Sequence, residues 1–480
     1  MTPPRFAIVG HPNKGKSSIV ATLAEDDAVL ISPEPGTTTR AVEYPMRLDD
    51  EVLYELIDTP GFQRAREVLD WLDAHDRGAG ARADVVREFL TEHADDPRFR
   101  DECELLGPII DGAGILYVVD GSRPYGRQYE AEMEILRRTG RPRMALINLI
   151  GPGDHLDEWR AALGQFFSIV RVFDAVRADF SKRIELLRAF GAIDERWAES
   201  LEQAADALLA ERQRRAQRAA RAIAELLSSV LTVTETVSLT DPADQARVEA
   251  QARGRLLDAV REHERITRRA VQQIYRHGSI ERREGEAALL GEDVFSERSF
   301  RIFGLSTRQL AVTAAASGAA AGGLIDLALG GASVLLGAGI GAAAGAASAL
   351  IGAGRLAKVE VLGLPLGGYE LRVGPISDPN LPWVVLARAL LHARLVAERN
   401  HARREALVIE AQRGESATAA IDASTRRRID TLFTRIRRAG ADDARLRSEL
   451  EGVIAGLLAG PHASIDRAAL RVDPADSERF

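Results

Sequence analysis

A glycine-rich loop near the amino terminus carries the residues whose types and spacing point most clearly to chemistry. Residues 10–17 read Gly-His-Pro-Asn-Lys-Gly-Lys-Ser and match the pattern G-x-x-x-x-G-K-[ST] at every fixed position. Gly10 and Gly15 let backbone N–H groups turn toward phosphate oxygens, and Lys16 reaches the β and γ phosphates. The loop therefore predicts a nucleoside-triphosphate site, whose further contacts are Asn13, Lys14, Ser17 and Ser18.

Two later motifs complete a predicted Mg²⁺ site with the Ser17 hydroxyl. Asp58-Thr-Pro-Gly61 follows an apolar strand, so Asp58 is placed to hold the metal through water. The backbone N–H of Gly61 is then placed to sense a γ-phosphate, as switch segments do. The segment Pro35-Gly-Thr-Thr-Thr-Arg40 supplies a threonine hydroxyl. We predict Ser17, Thr39 and Asp58 as the metal set, with Thr38 as the alternative to Thr39.

These motifs need a largely parallel sheet to position them, and residues 1–190 have the alternation of short apolar runs and helical stretches that builds one. Residues 41–48 and 52–57 alternate apolar with polar side chains and suit an antiparallel pair on that sheet. The predicted fold is an α/β P-loop NTPase domain with six strands, at residues 6–9, 41–48, 52–57, 114–119, 144–148 and 168–173.

Length and composition set the limits within which these motifs act. At roughly 150 residues per domain, 480 residues allow about three domains. A single cysteine, Cys103, excludes an intramolecular disulfide, and we expect a cytoplasmic protein because the start lacks a signal-peptide pattern. The net charge of -8 and the 5% aromatic content give no specific nucleic-acid signal.

Residues 191–305 are rich in Ala, Glu, Arg, Leu and Gln, and this composition predicts a long-helix bundle or stalk. Long helices are expected over residues 196–226 and 244–276, with turns near residues 232–241 and Gly285. Residues 359–480 are predicted to form a small hairpin, over residues 359–373, and a carboxyl-terminal helical domain, with helices over residues 382–412 and 423–459.

Residues 306–358 form a Gly/Ala-rich hydrophobic segment, predicted to be a helical hairpin. Between Leu310 and Gly354 only Asp326 is charged, and the uncharged part exceeds the ~20 residues that cross a bilayer core. Glycines at spacing four allow close helix packing, whereas few large apolar residues are present. Three alternatives stay open: a packed hairpin in the carboxyl-terminal domain, a membrane-inserting hairpin, and a self-association contact.

The motifs resemble a known family. The G-x-P-N-x-G-K-S-S loop, the T-T-R segment and D-T-P-G are similar to those of the translation-factor-related GTPases of the Era and MnmE type, over about residues 5–175. The resemblance implies a G domain, guanine-nucleotide binding and a GTP-driven conformational switch. The whole chain also resembles a proteobacterial group of predicted GTPases that carry a carboxyl-terminal domain of unknown function.

The chain departs from the family pattern where the base is read. The family has N-K-x-D after the fifth strand, and this chain has Asn148-Leu-Ile-Gly151. The resemblance implies that Asn148 contacts the base, but the aspartate is missing, and Asp154 comes three residues late. Guanine specificity therefore rests on the resemblance of the other motifs, with ATP or relaxed base use as the alternative.

A second departure concerns catalysis. Ras-like enzymes place a glutamine after D-x-x-G to orient water, and here that position is Phe62, with Gln63 beside it. Asn13 matches the asparagine that supports a bound K⁺ in MnmE-type enzymes, where the ion stabilises transition-state charge. We predict catalysis by Lys16, Thr39 and Asn13, with slow intrinsic hydrolysis that K⁺ or a partner accelerates.

Two classes of function follow from these observations. The first is a Mg²⁺-dependent GTPase that acts as a nucleotide-driven switch. In one form of this hypothesis the protein acts at the inner membrane, either bound to its surface or inserted into it. A dynamin-like membrane remodeller is its sharper version. The second is a nucleotide-responsive scaffold with negligible turnover. Arginine-rich helices could meet anionic lipid, so membrane lipid and a second copy of the chain are the predicted partners besides guanine nucleotide.

Overall fold

The structure of the protein is a computed structural model that describes residues 3–24, 38–48, 51–175, 180–276, 293–305, 309, 355–361, 364–398 and 421–459. The described residues up to Arg212 form one compact unit, and most of those from Gln213 onward form a second.

A six-stranded sheet lies at the centre of the first unit, in the order β2-β3-β1-β4-β5-β6. All neighbouring strands run parallel except β2 and β3, which are antiparallel. The predicted α/β fold and the predicted antiparallel pair are therefore confirmed. The strands are β1 Arg5–Val9, β2 Val42–Leu48, β3 Glu51–Asp58, β4 Gly114–Asp120, β5 Arg143–Asn148 and β6 Ile169–Val172.

Helices cover both faces of this sheet because its strands are apolar on both sides. In β1, Phe6 and Ile8 face one hydrophobic layer while Ala7 and Val9 face the other, as the two-residue period of a strand requires. Three helices, α2 to α4, lie between β3 and β4, a region for which we made no specific prediction. The helices are α1 Lys16–Ala24, α2 Ala65–Ala74, α3 Arg82–Glu92, α4 Arg100–Ile110, α5 Gln128–Arg138, α6 Leu156–Leu163, α7 Phe180–Gly191 and α8 Glu195–Thr232.

The carboxyl ends of four strands meet at one edge of the sheet. Val9, Asp58, Asp120 and Asn148 are the last residues of β1, β3, β4 and β5. The chain leaves β1 between its two neighbours β3 and β4, so the strand order reverses there. Crevices at such reversals are the usual ligand sites of open α/β sheets, and the glycine-rich loop follows β1 at this point.

The second unit combines helices with a three-stranded antiparallel sheet, in the order β7-β9-β8. Its apolar core contains side chains from the later part of α8. The same core contains side chains from helices later in the chain, beyond both the predicted bundle (residues 191–305) and the predicted hairpin (residues 306–358). The strands are β7 Glu235–Leu239, β8 Arg355–Val361 and β9 Leu364–Val373, and the helices are α9 Gln245–Ile274, α10 Glu297–Phe303, α11 Leu381–Glu398, α12 Ala423–Ala439 and α13 Ala444–Ala459.

This arrangement corrects the predicted domain boundaries. The sequence predicted separate domains over residues 191–305 and 359–480, and a turn over residues 232–241. In the structure, residues 235–239 form β7, which pairs with β9 from Glu235 opposite Val373 to Leu239 opposite Tyr369. Because that pairing joins the two segments in one sheet and one core, they form a single unit. The first unit likewise extends past the predicted end at residue 190, since α8 packs Leu201 and Leu208 into the core of the sheet.

Two other predicted elements differ in extent. The helix predicted over residues 423–459 is broken into α12 and α13, because Gly440 ends α12 with a φ of 99°. The helix predicted over residues 382–412 is present as α11, and its part after Glu398 lies outside the described residues. The Gly/Ala-rich stretch from residue 310 to 354 also lies outside them. Among the described helices, none combines the length and the apolar character needed to span a bilayer.

Candidate functional site

The glycine-rich loop joins β1 to α1 at the carboxyl edge of the sheet. Gly15 adopts a φ of 79°, and a Cβ atom there would lie 2.3 Å from the Asn148 amide nitrogen, so only glycine fits this approach. Ser17 and Ser18 lie in the first turn of α1, which begins at Lys16. The loop thus presents the amino terminus of a helix at the sheet edge, where an anion is favoured by the helix dipole.

Lys16 is a buried ammonium held by the loop itself. Its Nζ lies 3.3 Å from the carbonyl oxygen of Gly10 and 3.4 Å from that of His11. Burial lowers the pKa of Lys16, and the negative charges of Asp58 and Glu132 oppose that shift. A desolvated cation whose hydrogen bonds within the described residues go to carbonyl groups is poised to exchange them for phosphate oxygens, which carry full charge.

Asp58 forms the acidic part of the site. One carboxylate oxygen, Oδ2, accepts hydrogen bonds from Ser17 Oγ at 2.8 Å and from Thr38 Oγ1 at 3.2 Å. The other oxygen, Oδ1, is buried and has no hydrogen-bond partner among the described residues. Burial raises the pKa of Asp58, against the opposing effects of Ser17 and the Lys16 charge. Three oxygen-bearing side chains with one unpartnered carboxylate oxygen fit Mg²⁺, a cation that prefers oxygen ligands.

The predicted switch residues are placed unequally. Thr38 contacts Asp58, whereas Thr39, the threonine predicted as metal ligand, is exposed to solvent. Gly61 packs directly on the phosphate loop, because a Cβ atom there would lie 2.6 Å from the backbone nitrogen of Pro12. The structure therefore brings Ser17, Asp58 and Gly61 to the loop, and Thr38 rather than Thr39 to Asp58.

Asn148 braces the site from the next strand. Its amide nitrogen donates to the Lys14 carbonyl at 3.1 Å, and its amide oxygen accepts from the Ala175 N–H at 3.1 Å. The side chain therefore ties the phosphate loop to the segment that follows β6. Asp154 is exposed and accepts from the Leu156 N–H at 3.3 Å at the start of α6, so its carboxylate is engaged at that helix.

Two residues of the phosphate loop have side chains that differ in exposure. Asn13 is exposed and adopts a φ of 60°, a left-handed conformation that asparagine tolerates better than most residues. Lys14 is buried, with its Nζ 3.9 Å from Asp120 Oδ2 and 5.7 Å from the centre of the Tyr129 ring. The ammonium of Lys14 thus pairs with the carboxylate at the end of β4.

Phe62 belongs to the apolar core rather than to the surface of the site. Its side chain is 1% exposed and packs in the hydrophobic layer that contains Ala7 and Val9. Gln63, next to it, is exposed. Packing therefore holds the side chain at the position after D-x-x-G away from solvent. A water molecule that attacks a phosphate at this site would need another group to orient it.

Sequence reasoning missed two buried carboxylates near the loop. Glu132 on α5 receives a hydrogen bond from the Tyr117 hydroxyl at 2.9 Å and lies 3.0 Å from His11 Nδ1. Glu102 on α4 is fully buried and accepts from backbone N–H groups after Gly61. The available signal was periodicity: Glu132 falls on the apolar face of its helix, between Tyr129 and Leu136, where a carboxylate is expected only with partners.

Comparison with known proteins gives two family matches. A model described as a domain of unknown function (DUF3482) matches residues 160–453, more than half of the chain. A model described as a 50S ribosome-binding GTPase matches residues 5–149, which contain the phosphate loop, Asp58, Gly61 and Asn148.

Individual relatives match short stretches of the chain. The chain is 32% identical over 119 residues to GTPase Der of Mycoplasma pneumoniae, covering 24% of this chain and 26% of Der. It is 38% identical over 66 residues to the tRNA modification GTPase MnmE of Mycoplasmoides gallisepticum, covering 14% of this chain and 15% of that protein. The chain thus spans about a quarter or less of the length of these curated relatives.

Among solved structures, Aquifex aeolicus Era bound to GDP and AlF4⁻ matches with 19% identity and a TM-score of 0.28, covering 40% of this chain and 57% of that chain. The fold assignment therefore rests on the strand order and pairing of this chain itself.

Proposed function

Because the chain belongs to the DUF3482 family and its residues 5–149 match a GTPase family model, we propose that it binds GTP and hydrolyses it slowly with Mg²⁺, acting as a nucleotide-driven conformational switch. The observation that carries the proposal is the convergence of Lys16, Ser17 and Asp58 at the end of β1 and β3. The buried ammonium, together with a buried carboxylate oxygen that has no partner in the described part of the chain, indicates a ligand that brings both negative charge and a cation.

The residues have separate tasks in this proposal. The backbone of the loop and the Lys16 ammonium bind the phosphates, and the Lys16 charge stabilises the charge that develops on the transferred phosphoryl group. Ser17 and Asp58, with a switch threonine, hold the metal ion, which when bound neutralises phosphate charge and orients the oxygens. Gly61, packed on Pro12, is placed so that its N–H detects a γ-phosphate.

Slow turnover is supported by the environment of Phe62. A phenyl ring has no hydrogen-bond donor or acceptor for an attacking water, and packing holds this one in the core. Asn13 is exposed on the phosphate loop, where a K⁺ ion held by its side chain would add positive charge beside the phosphates. We propose that hydrolysis depends on K⁺ or on a partner that supplies an equivalent charge.

The region that would contact the nucleotide base offers the weakest contacts of the site. Asn148 supports the loop on which the base would lie, but Gly151 stands where a base-reading aspartate would be. Ile150 is 52% exposed and its Cδ1 atom lies near Gly15, so an apolar side chain borders this region. We propose a preference for GTP over ATP that is smaller than in proteins that carry the aspartate.

The decisive experiment is multiple-turnover phosphate release with GTP and ATP, measured with Mg²⁺ in matched K⁺ and Na⁺ buffers. We expect turnover with GTP that is faster in K⁺, and loss of turnover in Lys16→Ala. Nucleotide binding without turnover in either buffer would favour the second candidate, a nucleotide-responsive scaffold, which the burial of Phe62 also supports. Absence of binding of both nucleotides would refute the proposal.

The proposed membrane contact and self-association through residues 306–358 are tested separately. We expect the protein to remain in the membrane pellet after a carbonate wash if this segment inserts, and to be released if the contact is peripheral. Tubulation of liposomes with GTP would identify the dynamin-like form of the function.

A further inference from the structure

Helix α4, one of the three helices between β3 and β4, contacts the predicted second switch segment through a buried carboxylate. Glu102 Oε1 accepts hydrogen bonds from the backbone N–H of Gln63 at 2.9 Å and of Arg64 at 2.6 Å. These N–H groups lie two and three residues after Gly61, immediately before α2 begins at Ala65. The carboxylate therefore fixes the end of the segment that carries the Gly61 N–H.

The same helix turn contacts the first switch segment. Glu104 Oε2 accepts a hydrogen bond from the backbone N–H of Ala41 at 2.9 Å. Ala41 lies two residues after Thr39 and immediately before β2 begins at Val42. Glu102 and Glu104 are two positions apart, about 200° around a helix, so their side chains leave α4 on different sides. One turn of α4 thus anchors both switch segments.

Glu102 is unusual because nothing else in the described part of the chain accounts for its burial. Its side chain is 0% exposed, it takes part in no salt bridge among the described residues, and its second oxygen, Oε2, has no hydrogen-bond partner there. Burying a carboxylate is costly unless charged hydrogen bonds offset the loss of water. The bonds that do so here are directed at the backbone of Gln63 and Arg64.

The backbone at Gly61 is consequently held from both sides. On one side it packs against Pro12 of the phosphate loop, with no room for a Cβ atom. On the other, Glu102 holds the next N–H groups and thereby satisfies two donors that the start of α2 leaves without partners in its own helix. A displacement of residues 63 and 64 relative to α4 must break the bonds to Glu102.

We propose that Glu102 and Glu104 are positioning residues for nucleotide sensing: Glu102 presents the Gly61 N–H to a γ-phosphate, and Glu104 fixes the pivot about which residues 38–40 move. This inference rests on the proposed function, since it concerns how that site distinguishes GTP from GDP. Neither residue contacts the nucleotide. Their effect is confined to the triphosphate because GDP has no γ-phosphate for Gly61 to bind.

The test compares the affinities of the full chain for GMPPNP and GDP, measured by titration calorimetry with Mg²⁺. Glu102→Gln keeps the side-chain volume and one acceptor oxygen but removes the charge, and Asp101→Asn on the same helix is the matched control. We expect E102Q to weaken GMPPNP binding about tenfold, the scale of losing one charged hydrogen bond, with GDP affinity unchanged. E104Q should weaken GMPPNP binding by a smaller factor, and D101N should change neither affinity.

A merely structural role for Glu102 would lower the melting temperature and leave the ratio of the two affinities at the wild-type value. That result, or equal losses for GMPPNP and GDP, would overturn the proposal. Glu102→Ala is measured as well, and if it fails to fold, E102Q and E104Q still decide. If the wild-type chain binds neither nucleotide, the proposed function itself is wrong, an outcome distinct from an effect confined to the variants.

Discussion

Charged side chains are buried in both units of the protein, at the carboxyl edge of the six-stranded sheet and between helices of the second unit. Within the described residues at the sheet edge, Lys16 donates to carbonyl groups alone, at 3.3 and 3.4 Å, and Asp58 keeps one carboxylate oxygen without a hydrogen-bond partner. Burial lowers the pKa of the lysine and raises that of the aspartate. Both shifts mean that the charged forms are poorly compensated.

In the second unit, Arg388 of α11 is also buried, but its guanidinium is matched by acceptors. Its Nε donates to Glu264 Oε1 at 2.7 Å, its Nη1 to Ser299 Oγ at 3.0 Å, and its Nη2 to Glu264 Oε2 at 3.4 Å. Arg268 Nη2 also donates to Glu264 Oε1, at 2.9 Å. The cluster links α9, α10 and α11 inside one core.

The difference separates a proposed binding site, whose buried charges are poorly compensated, from a cluster that links helices through matched charges. Uncompensated buried charge is stabilised by binding, so it costs stability in the free protein and is expected where function requires it. A matched buried charge already has its partners. Removing one partner leaves the other charge buried and unpaired, which destabilises the folded protein. The following variants test this distinction, from the largest expected effect to the smallest.

Removing the shared acceptor of the second cluster should give the largest effect. In Glu264→Leu, Arg388 and Arg268 lose their carboxylate, and we expect the second unit to be destabilised by about 3–5 kcal/mol. Denaturant unfolding measures this change. The matched control is Glu262→Leu, two positions along the same helix and exposed, which should change stability little. Unchanged stability in E264L would show that the cluster does not hold the core.

Removing the uncompensated cation should instead affect binding and spare stability. We expect Lys16→Ala to weaken GTP binding about 100-fold, because a charged contact to phosphate is lost. The free energy of unfolding should stay unchanged or rise slightly. Titration calorimetry and thermal unfolding measure the two effects. Lys182→Ala, an exposed lysine paired with Glu185 at 2.8 Å, is the control. A K16A protein as unstable as E264L would contradict the distinction.

A titratable group in the second unit gives a pH test. Burial, with a smaller contribution from the Arg268 charge, lowers the pKa of His392 from 6.5 to about 3. The unfolded chain then binds a proton that the folded chain excludes, so stability is full above pH 6.5 and falls as pH drops below it, by at most about 1.4 kcal/mol per pH unit. We expect His392→Gln to flatten the pH dependence of unfolding between pH 6.5 and 5. An identical slope in the variant would contradict the assignment.

The two threonines of the first switch segment sharpen the description of the sheet edge. Thr38 already donates to Asp58 in this structure, while Thr39 is exposed. If the segment moves when the nucleotide binds, Thr39 replaces Thr38 at the metal, and we expect Thr39→Ala to weaken GMPPNP binding about tenfold, with GDP unaffected. Thr38→Ala should have the smaller effect. The reverse order would mean that the segment keeps its present arrangement in the bound state.

Local pattern was sufficient for much of the first unit. The six strands were predicted within a few residues of their observed bounds, because each is a short apolar run bounded by polar turns or by helices. The positions of Lys16, Ser17, Asp58 and Gly61 at the phosphate loop followed from the motifs, since the carboxyl ends of parallel strands meet at one edge. The roles of these residues in a bound nucleotide complex remain predictions.

Pattern failed where an element depends on a distant partner. The segment from Glu235 to Leu239 is short and half polar, and it is a strand because residues more than one hundred positions later pair with it. For the same reason the predicted boundary between the long-helix region and the carboxyl-terminal domain was wrong. Similarly, nothing local distinguishes Thr38 from Thr39, whose placement depends on where Asp58 lies.

By itself, the sequence determined the phosphate loop and the strands that carry it, because these depend on residue types at fixed spacing, and its single cysteine excluded an intramolecular disulfide. Tertiary structure alone decided that Glu102 and Glu104 hold the two switch segments, that Asn148 ties the loop to Ala175, and that Glu264 and Arg388 share one core. A carboxylate on a helix has the same local signature whether it faces water or a buried N–H group. Only the packing of other elements around it sets its partner and therefore its role.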